Sequence, residues 1–117
     1  MTTPEGSERR RAPRVGCVLP VKLYANHEPK VIETLTKDLS TGGLRCLSPV
    51  AKSAVSPVSL EMTLGQGERP LSLLAKVVWF ERIPSSNQFY LGLAFQNISD
   101  KYTRRLSRYL ERLTSKQ

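Results

Sequence analysis

Two short segments hold residue types that could do chemistry. One is the basic run Arg9-Arg10-Arg11-Ala12-Pro13-Arg14, and the other is Asp38-Leu39-Ser40-Thr41-Gly42-Gly43. Guanidinium forks bind phosphate oxygens and the acceptor edge of guanine bidentately, and their flat faces stack on bases. A carboxylate accepts from guanine's N–H donors, a Ser hydroxyl reaches a phosphate or ribose, and a Gly pair lets backbone approach closely. Each segment has an ordinary explanation by itself. An Arg-rich terminus is usually a solvated tail or a nucleic-acid arm. Asp-x-Ser-x-Gly-Gly between strands is usually a turn, with Asp and Ser bonding backbone locally and Gly at positive φ. Together they supply complementary halves of a site for an anionic, guanine-bearing ligand.

Other chemistry finds little footing. The two cysteines, Cys17 and Cys46, form no C-x-x-C, and His27 is the single histidine, so Cys and His alone cannot assemble a zinc site. Both cysteines read as small apolar strand residues. His27 sits in Asn26-His27-Glu28-Pro29, where a turn role fits better than a catalytic base. No clustered acid/base pair is evident, so an enzyme is not expected.

The elements that must position the two motifs follow from the pattern of the 117 residues. That length fits one domain. A hydrophobic content of 39% and a mean hydropathy of -0.31 suit a globular protein. No apolar stretch approaches the roughly 18 residues of a membrane-crossing helix. Met1 to Glu8 lacks the apolar core of a secretory signal, so a cytoplasmic location is the default expectation. The net charge is +8 and unevenly spread. Residues 1–14 hold four Arg against two Glu, and residues 98–117 hold six basic against two acidic groups. Polyanions are candidate partners on that ground, without distinction between nucleotide, nucleic acid and acidic protein.

Residues 1–14 are polar and aperiodic and read as a flexible arm; residues 15–117 read as the folded unit. Val21, Leu23 and Ala25 alternate with polar neighbours, and residues 31–39 form a second strand ending at the Asp motif. Thr41-Gly42-Gly43 turns the chain, and Leu44 and Cys46 share one side of a third strand. Residues 48–57 read as a loop. Val58, Leu60, Met62 and Leu64 alternate before the Gly65-Gln66-Gly67 turn. A long strand over 71–83 puts Leu73, Ala75, Val77 and Trp79 on one face, and Phe89, Leu91, Leu93 and Phe95 alternate in the last strand. Six strands without intervening helices argue an antiparallel sheet or barrel. Ser99 or Asp100 can cap a helix over about 99–115, with Tyr102, Leu106, Tyr109, Leu110 and Leu113 as its apolar stripe. Arg104, Arg105, Arg108 and Arg112 fall largely off that stripe and read as a solvated basic face.

Arg-x-x-x-Arg at 10 and 14, followed by Asp-x-Ser-x-x-Gly at 38, 40 and 43, resembles the PilZ family of cyclic di-GMP receptors. The resemblance spans nearly the whole chain: Leu91-Gly92-Leu93-Ala94-Phe95 looks like the family's Gly-x-x-Phe strand, and Val77-Val78-Trp79 like the strand before it. It implies an all-β fold, a six-stranded antiparallel β-barrel with a C-terminal α-helix. It implies that Arg9, Arg10, Arg14, Asp38, Ser40, Gly42 and Gly43 bind cyclic di-GMP, with no cofactor and no metal. An Arg at position 9 goes, in the family, with capture of two stacked ligand molecules per chain. A downstream protein partner is implied but not identified.

Binding would draw the arm onto the barrel and alter a protein-interaction surface. Two other classes compete. A small basic barrel could bind nucleic acid, and the pI of about 9.9 favours that. Against it, Trp79, Phe89 and Phe95 lie on inferred core faces rather than free for base stacking, so DNA and RNA are not expected. A ligand-independent interaction adaptor is the other alternative, and the intact motifs argue against it.

Overall fold

The barrel's core comes from the period-2 alternation of its strands. A computed structural model describes residues 14–25, 31–49, 57–65 and 67–115. Its strands are β1 (Val15–Gly16), β2 (Pro20–Ala25), β3 (Val31–Leu39), β4 (Gly43–Ser48), β5 (Pro57–Met62), β6 (Leu71–Arg82) and β7 (Phe89–Gln96), followed by helix α1 (Asp100–Ser115). All pairings are antiparallel, in the order β1-β3-β2-β5-β6-β7-β4, and a further β3–β4 pairing closes the sheet. Six strands therefore make the closed barrel, and closure leaves them without free edges. The short β1 is the additional strand. It continues the β2 side of β3, with Val15 opposite Leu39 and Gly16 opposite Asp38.

Inward positions match the alternation: Val21 and Leu23, Leu44 and Cys46, Val58, Leu60 and Met62, Leu73, Ala75 and Val77, Leu91 and Leu93 are all buried. Each Val, Leu or Met among them contributes roughly 1.5–3 kcal/mol of transfer free energy. Helix α1 adds Leu106 and Leu110 to the same cluster, with Tyr102, Tyr109 and Leu113 packed against it. Ser99 is its cap: the Tyr102 N–H donates to Ser99 Oγ at 3.2 Å, and the Thr103 N–H donates to the Ser99 carbonyl at 2.9 Å. Of the arginines read as a solvated face, Arg105 is engaged instead. Its Nη2 donates to the Arg69 carbonyl at 2.6 Å and to Glu68 at 3.2 Å, tying the helix to the β5–β6 connection.

Two positions break the alternation. The β3–β4 register slips between Thr36 and Asp38, and the β6–β7 register slips between Val77 and Trp79. A bulge inserts one residue into one strand, so side chains beyond it change face. Trp79 therefore leaves the inner face expected for it and lies on the outer face, opposite Gly92. Its neighbour Phe80 meets Phe89 edge-on, with ring centroids 6.2 Å apart, and Phe80 is exposed. Only Phe95 of the three aromatics expected inside packs against the core cluster.

Candidate functional site

The Asp38 side chain is aimed by a bulge and held by two strands. Thr36 faces the interior opposite Cys46, Lys37 is the extra residue, and Asp38 emerges on the outer face opposite Arg45 of β4. Directly paired residues of neighbouring strands share a face. Following the pairs across the sheet gives one outward row: Gly16 on β1, Asp38 on β3, Arg45 on β4, Gly92 on β7 and Trp79 on β6. A Cβ at Gly92 would run into the Trp79 indole, so the ring lies across that glycine, towards Arg45's strand. The two bulges thus deliver a carboxylate and an aromatic ring to one surface line.

Both oxygens of Asp38 are engaged. Arg14 Nη1 donates to Oδ1 at 3.2 Å. Arg45 covers Oδ2, its Nε donating at 2.7 Å and its Nη2 in ion-pair contact at 2.5 Å. The carboxylate side chain is 6% exposed, against 47% for Arg14 and 32% for Arg45. The hydrogen bond to Asp38 is the main cause holding the Arg45 pKa above its ordinary value, and burial acts the other way. Beside this row lies a second, Leu47, Tyr90 and Glu81. Lys37 reaches it, with Nζ 3.2 Å from the Tyr90 hydroxyl and 4.9 Å from the ring centroid.

Ser40, Gly42 and Gly43 form the turn into β4. The Gly42 and Gly43 N–H groups donate to Ser40 Oγ at 3.1 and 3.2 Å, and the Ser40 N–H donates to the Gly43 carbonyl at 2.9 Å. Neither glycine takes positive φ; Gly67 is the described glycine that does. The turn instead needs glycine for space, because a Cβ at Gly43 would strike the Leu93 carbonyl of β7. Thr36 supports the other flank. Its Oγ1 donates to the Cys17 carbonyl at 2.7 Å and accepts from the Leu19 N–H at 2.9 Å. Those bonds hold the irregular link after β1, and β1 brings Arg14 to Asp38.

Arg14 and Asp38, 24 residues apart in sequence, are thus joined directly, and Ser40, Gly42 and Gly43 sit beside them. The expectation that Arg14 belongs to an arm separate from the barrel does not hold for that residue. Arg9 and Arg10, and the flexibility expected of the arm, lie outside the described residues. Sequence reasoning missed Arg45, Trp79, Lys37 and Tyr90. One signal was available: Val77-Val78-Trp79-Phe80 is apolar throughout, so its faces could not be read by alternation. Among the described residues no three potential metal ligands gather, and no helix is long and apolar enough to cross a membrane.

The family model for the PilZ domain matches residues 8–112. This chain belongs to the PilZ domain family. None of the curated proteins matches it. Solved PilZ structures share its fold. The inhibitor of motility MotI (DgrA) of Bacillus subtilis superposes with a TM-score of 0.78 at 23% identity, covering 93% of this chain and 53% of that protein. The PilZ domain of Escherichia coli YcgR with cyclic di-GMP gives 0.73 at 21% identity, covering 92% and 93%. A tetrameric PilZ domain of Xanthomonas campestris, self-assembled through a helical bundle, gives 0.73 at 14% identity, covering 97% and 96%. This PilZ chain therefore spans about half the length of MotI and nearly all of the other two domains.

Proposed function

We propose that this PilZ domain is a receptor for cyclic di-GMP, binding it at the outward row around Asp38 with Arg9, Arg10, Arg14, Ser40, Gly42 and Gly43. The observation that carries the reading is the Arg14–Asp38 ion pair, since it joins the two sequence motifs on one surface. The solved complex of the YcgR domain with cyclic di-GMP, a neighbour in fold, supports it. Asp38 reads the N–H donors of guanine, and the arginines take phosphate and the guanine acceptor edge. The chemistry is binding, not catalysis. Free Cys17 and Cys46 suit a reducing compartment such as the cytoplasm.

The residues before Arg14 act as an arm that closes over the ligand, and Arg14 with residues 15–117 as the platform. Ordering roughly six to eight arm residues costs on the order of 1–2 kcal/mol each. Charge-assisted contacts at roughly 1.5–3 kcal/mol each must exceed that cost. The closed arm changes the surface offered to a downstream protein. A ligand shifts that equilibrium only by its differential affinity for the two arm states.

Calorimetric titration with cyclic di-GMP and cyclic di-AMP tests the reading. Cyclic di-GMP binds the wild type and cyclic di-AMP binds far more weakly, while Asp38→Ala abolishes the difference. Equal wild-type affinities would falsify the guanine-reading role of Asp38. The outward Trp79 gives a nucleic-acid-binding reading one point in its favour, because an accessible ring can stack on a base. The salt slope separates the two: several phosphate contacts on a polynucleotide give a steep dependence, and one small ligand a shallow one.

A further inference from the structure

Asp38 is the residue the receptor reading assigns to guanine, yet its carboxylate is already occupied. A carboxylate has about four lone-pair positions, two on each oxygen. Arg45 bonds Oδ2 through Nε and stands against the same oxygen with Nη2 at 2.5 Å, and Arg14 takes one position on Oδ1. Guanine presents two adjacent N–H donors, which match a carboxylate by giving one to each oxygen. Oδ1 can receive one beside Arg14. Oδ2 cannot receive the other until Arg45 gives way, because two guanidinium nitrogens stand against that oxygen. Arg14 precedes β1 and is the more exposed of the two, whereas Arg45 is fixed in the middle of β4 by pairing on both sides.

We infer that Arg45 is an internal competitor for Asp38, a built-in stand-in for the guanine edge that sets the affinity and must move aside when ligand binds. This inference rests on the receptor reading. The displaced guanidinium has a place to go. Its next neighbour in the row is Gly92, which has no side chain, and the Trp79 indole lies across that glycine. A guanidinium moving away from β3 meets that ring and can stack on it. Arg45 thus exchanges a carboxylate for an aromatic face, and Asp38 exchanges a guanidinium for the base.

The competitor role has a thermodynamic signature that a ligand-contact role lacks. Loss of Arg45 leaves a nearly buried carboxylate with Arg14 alone, which destabilises the free protein. Ligand then relieves that deficit, so affinity rises as free-state stability falls. Titration and thermal unfolding of Arg45→Gln, with and without cyclic di-GMP, test this. The variant binds about tenfold tighter than wild type, a change equivalent to one charge-assisted bond no longer broken on binding. Its ligand-free melting temperature is lower, and its ligand-induced rise in melting temperature is larger. Arg45→Lys keeps the charge but loses the fork; it tightens binding by a smaller factor and serves where the Gln variant does not fold. In an Asp38→Asn background, Arg45→Gln brings no gain, because the competition is for the carboxylate. A wild type that binds, with an Arg45→Gln variant that binds equally or more weakly, overturns the competitor role and leaves the receptor reading standing. Absence of binding by wild type and both variants overturns the two together.

Discussion

At the scale of single residues, the site is a buried carboxylate surrounded by cations. Arg14 and Arg10 are each proposed to place a charged donor on the ligand. Arg10→Ala and Arg14→Ala should therefore each weaken cyclic di-GMP binding by roughly 1.5–3 kcal/mol, measured by calorimetry. Arg14→Ala also removes a partner of Asp38, so it should lower the melting temperature of the free protein. Cys46 gives a check on the core behind the site. Burial pushes its thiol up to about 12 from an ordinary value of 9.0. The folded protein therefore holds that proton more tightly than the unfolded chain does. The associated stability is present below about pH 9 and is lost as pH rises towards 12. Iodoacetamide at pH 8 should label Cys46 only as fast as the protein unfolds, since the thiolate is the reactive form.

At the scale of elements, two glycines of neighbouring strands differ in what they leave room for. A Cβ at Gly43 meets the Leu93 backbone carbonyl, which can yield only if β4 and β7 part. Gly43→Ala should cost at least 1–3 kcal/mol, in the range of roughly that size typical of overpacking, and denaturant unfolding measures it. A Cβ at Gly92 meets the Trp79 indole, a side chain that can swing outward. Gly92→Ala should leave the unfolding midpoint nearly unchanged while shifting the emission of Trp79, the single tryptophan of the chain. Thr36 is the support of β1. Thr36→Val strands the Leu19 N–H and frees the link between β1 and β2, at a cost of roughly 1–3 kcal/mol. Ligand affinity should fall with it although Thr36 touches no part of the row.

At the scale of the whole molecule, charge sets the expectation for stoichiometry. Arg9, Arg10, Arg11 and Arg14 together offer more cationic charge than the two phosphates of one cyclic dinucleotide require. Arg45 and Lys37 on the barrel add to that surplus. Two intercalated ligands would present four phosphates and stacked guanines. Titration should give about two ligands per chain, and Arg9→Leu should bring the ratio towards one while binding persists. A wild-type ratio of one removes the two-ligand proposal and leaves the receptor untouched. Arm closure has its own measurement. Hydrogen exchange over residues 5–14 should slow with ligand while the barrel strands change little. Equal exchange in both states would leave a preformed site.

The alternation of apolar residues was enough to place the six barrel strands and the helix, because each strand buries one face and period 2 exposes that choice in the sequence. The spacing of Arg10, Arg14, Asp38, Ser40 and Gly43 was enough to point to the family, and the family model agrees. Faces could be read only where the period was unbroken. At Thr36–Asp38 and Val77–Trp79 an extra residue shifts the phase, and nothing local marks which of two adjacent residues bulges. Trp79 was accordingly assigned to the core, where it does not lie. Arg45 was invisible for another reason. It is one basic residue among many until the β3–β4 register sets it opposite Asp38 and the β4–β7 register sets it opposite Gly92. Register is a property of paired strands, fixed by closure of the barrel and by its bulges, so the tertiary structure alone decided which side chains meet.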